Sequence, residues 1–475
     1  MIDPSQETKR QNKIRDGSDE KRKERGNKMT KILFTDDQEK ALKAIKSFLK
    51  NKRKHEFTLS GYAGVGKTTL ISHIIEMARG SSMPAILCAP TNKAADVLKQ
   101  KTKLSSCSTV HKTIYNVDKR GRMHLKNTSK HIGGLIICDE ASMLDDGLIK
   151  DLREFAAKFR HKILYVGDNF QLPPVNKSKF TVFDLPEKDK ITMTHICRQE
   201  EDSSIIFYAT AFREVGRDAF IPSSSLGDII VDKEANIWKE YIKSLQNNED
   251  STLIVWRNVE RIKYNLKARA MLKHSGNISA GEPLMVISNS THYNNGEVFH
   301  LNEKFTHLSN TKITYSDGYA YGRYGSCISI DEANAELILT ETGVPILFFP
   351  RFEKPSLYHT QVRASEIDKV LPENIKSYFI EVSKKGRPSL NRNVVIATYG
   401  YAITAHKAQG SQWDNVFIEE ACRFASNSIT SEKREEEARW LYTAITRASK
   451  KLYLSSSIAT SYEWNKITLK AKDYM

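Results

Sequence analysis

Eight residues of this 475-residue chain, Gly61-Tyr62-Ala63-Gly64-Val65-Gly66-Lys67-Thr68, have the types and spacing of a loop that grips phosphate. An apolar stretch at 57–60 precedes them and an amphipathic one at 69–77 follows, so the loop joins a strand to a helix. Glycines let N–H groups close around phosphate oxygens, and the helix N-terminus adds partial positive charge. Lys67 can reach the β- and γ-phosphates, the Thr68 hydroxyl can ligate Mg²⁺, and Gly61, Ala63, Gly64, Val65, Gly66 and Thr69 complete the contact. A plain glycine-rich turn has no use for the Lys-Thr ending. The spacing therefore predicts a bound nucleoside triphosphate.

Two further strand ends carry chemistry. Ile136-Ile137-Cys138-Asp139-Glu140-Ala141-Ser142 delivers two carboxylates to the edge where open α/β sheets bind ligands. There Asp139 would hold the metal and Glu140 would take a proton from attacking water, although an acidic pair can also serve as a helix cap. Downstream, Tyr165-Val166-Gly167-Asp168-Asn169-Phe170-Gln171-Leu172-Pro173-Pro174 ends a second apolar strand, with Gln171 placed to orient water or sense the γ-phosphate.

These residues need rigid strands and helices behind them. From Phe34 the pattern is periodic: Thr35 caps a helix, and strands at 85–89, 135–138 and 163–166 alternate with helices near 93–99, 144–159 and 203–214. Such alternation implies a parallel sheet with crossover helices. A second alternating block from about Asp228 has strands at 253–255, 394–397 and 416–418 and helices at 259–272 and 435–446. A polar hairpin at 115–130, turning at Lys119-Arg120-Gly121-Arg122, interrupts the first block, and a mostly β insert with Asn-Gly and Asp-Gly turns fills about 281–390 of the second. Residues 1–28 are nearly devoid of apolar side chains and are expected to be a disordered tail.

Length suggests two to four domains, and a net charge of +16 suits a polyanionic partner such as nucleic acid. The six cysteines, Cys88, Cys107, Cys138, Cys197, Cys327 and Cys422, form no C-x-x-C pair and read as reduced thiols of a cytoplasmic protein. Apolar runs are too short to span a bilayer, so no membrane partner is expected.

Taken in order, the 61–68 loop, Cys88-Ala89-Pro90-Thr91-Asn92-Lys93-Ala94-Ala95, Asp139-Glu140-Ala141-Ser142, the Gly167 to Pro174 segment, Tyr401-Ala402-Ile403-Thr404-Ala405-His406-Lys407-Ala408-Gln409-Gly410-Ser411 and Leu441-Tyr442-Thr443-Ala444-Ile445-Thr446-Arg447-Ala448 resemble the motif series of superfamily 1 helicases. The branch is the RecD/Dda type, and the phage Dda helicases are similar in size and in their β insert. The resemblance spans about 34–453. It implies an α/β fold of two RecA-like parallel-sheet domains, ATP and Mg²⁺ between them, single-stranded DNA across their tops and 5′-to-3′ movement. The implied division is 29–110 with 131–198 for the first domain, 111–130 for a strand-separating pin, 199–280 with 391–475 for the second domain and 281–390 for an SH3-like insert.

By the same resemblance Gln38 would read the adenine edge, Gln409 and Gly410 would join the nucleotide site, and Arg198 and Arg447 would reach the γ-phosphate. An arginine inserted across a cleft can contribute about 10³–10⁵ in phosphoryl-transfer rate. DNA contacts would come from Thr91, Asn92, Lys93, Thr109, His111, Thr404, His406 and Lys407, with Trp256, Arg257 and Asn258 at a strand end where an aromatic can stack on a base. The Dda-type pattern has a histidine where Asn92 stands. Trp256 and His406 also suit ordinary packed positions, and the hairpin could be a mere connection.

The implied function is a monomeric ATP-dependent DNA helicase acting on single strands and single/double-strand junctions beside replication or recombination proteins, in the cytoplasm of a cell or of a phage's host. An ATP-gated clamp or loader without unwinding, the motor subunit of a nuclease assembly, and an RNA substrate stay open as alternatives.

Overall fold

Two parallel sheets, each flanked by helices, form the body of the chain. The computed structural model describes residues 34–102, 107–117, 123–129, 132–174, 181–197, 203–215, 225–274, 278–287, 290, 292–293, 295–301, 305–307, 313–314, 334–349, 373–382, 388–391, 393–418 and 431–455. The 1–28 tail, the 119–122 turn, Arg198, Cys327 and Cys422 lie outside the described residues.

Helix Asp36–Lys50 begins with a reciprocal cap: the Gln38 N–H donates to the Thr35 hydroxyl at 3.3 Å, and the Thr35 N–H donates to Gln38 Oε1 at 3.1 Å. Behind it the first sheet runs, edge to edge, Cys107–Thr109, Ala85–Ala89, Leu135–Cys138, Lys162–Gly167, Glu56–Gly61 and Lys190–Met193, all parallel. Leu135–Cys138 is buried at every position because helices cover both faces. Ala41, Ile45, Leu70 and Ile74 pack one side, and Leu148, Leu152 and Phe155 of helix Asp146–Lys158 pack the other.

The second sheet runs Ala402–Thr404, Ser251–Val255, Trp413–Ile418, Ala448–Ser455 and Ile229–Asp232, again all parallel. Helices Glu234–Gln246 and Asn258–Met271 lie on one face. Helices Ser204–Val215 and Ser431–Ile445 lie on the other, and their core also takes in Leu172, from the loop after strand Lys162–Gly167 of the first sheet, with Phe170 and Ala63 packed against it.

A third, mostly antiparallel sheet runs Val298–His300, Pro283–Val286, Val395–Tyr399, Pro345–Phe348, Asn334–Thr340 and Phe305–His307. This corrects one expectation. The 394–397 run belongs not to the second parallel sheet but here, antiparallel to Pro283–Val286 and parallel to Pro345–Phe348. All five residues of Val395–Tyr399 are buried, and a continuous apolar run reports burial on both faces without saying in which sheet. The hairpin pairs Tyr115–Val117 with Met123–Leu125, and Tyr115 ties it to helix Asp146–Lys158 by donating its hydroxyl to Asp151. Among the described residues no helix is long and apolar enough to cross a membrane.

Candidate active site

The strand Glu56–Gly61 feeds the 61–68 loop, and helix Lys67–Gly80 opens directly behind it. The loop's shape requires glycine. Gly64 and Gly66 stand at φ +78° and +76°, and a Cβ on Gly66 would lie 2.6 Å from Gln38 Nε2. Lys67 Nζ donates to the carbonyls of Gly61 and Tyr62 at 2.8 and 2.7 Å, which keeps the ammonium at the mouth of the loop. Thr68 is half-buried and Thr69 exposed on the first helical turn. Gln38 backs the loop, its amide nitrogen donating to Val65 O at 3.0 Å and lying 3.2 Å from Cys197 Sγ. The Cys197 N–H donates to Gly64 O at 3.0 Å, so the segment that leads to Arg198 runs alongside the phosphate loop.

Asp139 and Glu140 follow Leu135–Cys138, two strands away in the same sheet with Lys162–Gly167 between. Burial, then the adjacent Glu140 carboxylate, pushes the Asp139 carboxyl up to about 7, while Lys67 and Lys101 pull against that shift. Glu140 occupies the left-handed region at φ +50°, a conformation costing about 1–3 kcal/mol for a residue with a Cβ. Strain held at this residue points to a use for its carboxylate. Gly167 makes the close packing behind it possible, since a Cβ there would sit 3.1 Å from the Ala141 amide nitrogen. Gln171 is buried, and among the described residues its Oε1 has no hydrogen-bond partner, an unmet acceptor beside this edge.

These features fit ATP and Mg²⁺. The glycine cradle leaves room for phosphate oxygens, Lys67 and the helix N-terminus supply positive charge, and Thr68 with Asp139 offers the all-oxygen donor set that a hard cation prefers. The crowded carboxylates are the charge pattern a divalent cation relieves.

The second sheet closes the cleft. Arg447 is fully buried, and its guanidinium donates to Thr443 O at 3.0 Å, Ser411 O at 3.1 Å and Thr446 Oγ1 at 3.0 Å. Burial pulls its pKa down, opposed by the charges of Glu140 and Asp168 across the interface. Gln409 Nε2 donates to Leu172 O at 2.8 Å, and Gly410 approaches helix Asn92–Thr102 so closely that a Cβ would lie 3.2 Å from that of Ala94. Two residues that sequence reasoning gave no role, Arg213 and Tyr442, complete this wall. Tyr442 accepts the Ala63 N–H at 3.0 Å and donates to Asp168, while Arg213 pairs with Asp168. Tyr442 lay inside a recognised motif, but no local pattern pairs Arg213 with an acid 45 residues away.

The other predicted residues separate into three groups. Thr91 and Thr109 cap helices, accepting from the Ala94 and Lys112 amides at 3.2 and 3.1 Å, and Asn92 accepts from Lys112 Nζ at 3.0 Å. His111 is exposed beside Tyr115, and Lys93 Nζ lies 4.8 Å over the ring of Trp413 in the second domain. At the second sheet Thr404 is buried, Lys407 donates to Asn295 at 2.7 Å, and His406 is held below its ordinary pKa by burial. Trp256 is half-buried edge-on to Trp440 at 5.2 Å, Arg257 is exposed and paired with Glu260, and Asn258 accepts from Arg261 at 3.3 Å. Among the described residues the structure therefore brings the phosphate-loop side chains expected to meet nucleotide together with Gln171, Gln409 and Arg447 between the two sheets, and spreads those expected to meet a strand along two domain edges.

Comparison with known proteins gives two family matches: an AAA domain over residues 34–224 and a UvrD-like helicase C-terminal domain over 399–455. The R530 protein of Acanthamoeba polyphaga mimivirus is 24% identical, covering 88% of this chain and 99% of that protein. The ATP-dependent DNA helicase dda of Enterobacteria phage T4 is 32% identical over 33% of this chain and 37% of its own length. The ATP-dependent RecD2 DNA helicase of Deinococcus radiodurans is 33% identical over 31% of this chain and 20% of its own.

Proposed function

We propose that this chain is a superfamily 1 helicase of the RecD/Dda type, an ATP-driven motor that moves 5′-to-3′ along single-stranded DNA and separates duplex strands. One observation carries the reading: the phosphate loop and acidic pair of one parallel sheet face Arg447, Gln409 and Tyr442 of another.

The 61–68 loop and Lys67 would hold the triphosphate, and Thr68 with Asp139 would hold Mg²⁺, which when bound neutralises charge developing on the phosphoryl oxygens. Glu140 accepts a proton from the attacking water, and Gln171 orients that water through its unmet carbonyl. Among the described residues three of the five N–H groups of the Arg447 guanidinium are bonded, and the other two would serve the γ-phosphate from the far wall. Because that arginine belongs to the second domain, hydrolysis depends on closure. A closing and reopening cleft shifts the second domain's edge, with Trp256, Thr404, His406 and Lys407, against the first domain's Thr91, Asn92 and Lys93. The strand held between them moves on.

Unwinding assays on duplexes with a 5′ or a 3′ single-stranded tail, of DNA or RNA, test this with ATP supplied. Separation of 5′-tailed DNA alone is expected. Strand-stimulated hydrolysis without separation would identify a clamp, and separation of 3′-tailed substrates would reverse the direction.

A further inference from the structure

Asp168 ends the strand Lys162–Gly167, and its side chain is wholly buried. A buried carboxylate needs donors, and the first domain supplies it with the Phe170 N–H at 3.0 Å. Among the described residues both side-chain donors come from the second domain: Arg213 of helix Ser204–Val215 and Tyr442 of helix Ser431–Ile445. Arg213 also bonds Asn169 and lies 3.9 Å over the ring of Tyr62, the second residue of the phosphate loop. The Tyr442 oxygen accepts the Ala63 N–H of that loop, and its ring meets Phe170 edge-on at 5.3 Å. One residue along, the Leu172 N–H donates to Thr443 Oγ1 at 3.0 Å.

The charge on Asp168 is therefore met by second-domain donors when the two sheets are docked, and parting them removes both of its described side-chain donors. The same tyrosine oxygen that satisfies Asp168 fixes a backbone amide of the phosphate loop. From this geometry we infer that Arg213 and Tyr442 are positioning residues. They hold the 61–68 loop and the 167–171 turn in their working shape while the second domain is docked, so docking reaches the hydrolytic site by a path separate from Arg447. The inference rests on the motor reading above and adds a second coupling route to it.

The test is hydrogen exchange by mass spectrometry on the full chain and its Tyr442→Phe variant, which keeps the packed ring and loses one hydroxyl. Exchange in peptides covering Ala63 and Leu172 should rise about tenfold, the scale of one lost buried hydrogen bond, while peptides over Leu135–Cys138 stay unchanged. Affinity for a non-hydrolysable ATP analogue should move less than about threefold, while strand-stimulated kcat falls about tenfold at unchanged KM. Unaltered exchange near Ala63, or a rise spread evenly through the sheets, would overturn the inference. Unaltered kcat in the variant would overturn it as well. If the wild-type chain hydrolyses no ATP, the motor reading falls, and the exchange result alone then decides the docking contact. Asp168→Asn, which keeps the shape and removes the charge Arg213 neutralises, should raise exchange in the same two regions; protection there would count against the inference.

Discussion

In the first sheet the strand Glu56–Gly61 runs into two left-handed glycines and Lys67; in the second, Ser251–Val255 runs into Trp256, Arg257 and Asn258. Both are interior strands of parallel sheets with helices on each face. The first ends in a backbone whose left-handed glycines suit phosphate, and the second ends in side chains suited to stacking and ion pairing. The same contrast holds at another strand end of each sheet: Asp139 and Glu140 on one side, Thr404, His406 and Lys407 on the other. A shared architecture therefore says little about chemistry, and the residues just beyond each strand say most of it. In the proposed motor the two halves depend on each other, the first holding the phosphates and the second supplying the buried Arg447.

Substitutions at these strand ends should act unequally. The largest effect is expected for Lys67→Ala, which should cut ATP turnover by on the order of 10²–10³ while strand binding persists. Phosphate-release kinetics would measure it, and undiminished turnover would erase the contrast between the sheets. Trp256→Ala should weaken single-strand binding by about 1–3 kcal/mol, roughly 5- to 150-fold in Kd, with hydrolysis in the absence of strand little changed. Fluorescence anisotropy with a labelled oligonucleotide would detect it; an unmoved Kd would make Trp256 a packing residue against Trp440.

The smallest effect concerns Lys407. Burial, then the nearby Arg261 charge, holds its ammonium down at about 8 instead of the ordinary 10.5. A base depressed in the folded state penalises folding while it is charged, and that penalty is fully present below pH 8 and fades as pH rises toward 10.5. Lys407→Met should therefore melt higher than wild type at pH 7, by on the order of a degree or two, with the gap closing as pH climbs past 8. A gap that ignores pH would show that the ammonium carries no such cost.

The sequence made the four central strands of the first sheet legible, but not its edge strands Cys107–Thr109 and Lys190–Met193. The strands at 85–89 and 135–138 form as expected, because short apolar runs bounded by glycine, proline and acidic residues leave little choice of boundary. The phosphate loop was equally plain, since its glycines and Lys67 sit within eight consecutive positions. What the pattern could not supply was partnership at long range. Val395–Tyr399 is apolar enough for either of two sheets, and only its neighbours decide between them. Arg213 sits one residue from Phe212 on a helix whose apolar spacing is ordinary, and its role depends on Asp168 in another domain. Thr91 and Thr109 carried the residue type of a phosphate contact and also that of a helix cap, and their hydroxyls accept the capping amides.

The most direct test of mutual dependence is Arg447→Ala, with ATP affinity and single-turnover hydrolysis measured in the presence of single-stranded DNA. Affinity close to wild type with hydrolysis reduced about 10³-fold or more is the predicted result. Hydrolysis at the wild-type rate would mean that the first sheet works unaided, and the proposed coupling between the two halves would be wrong.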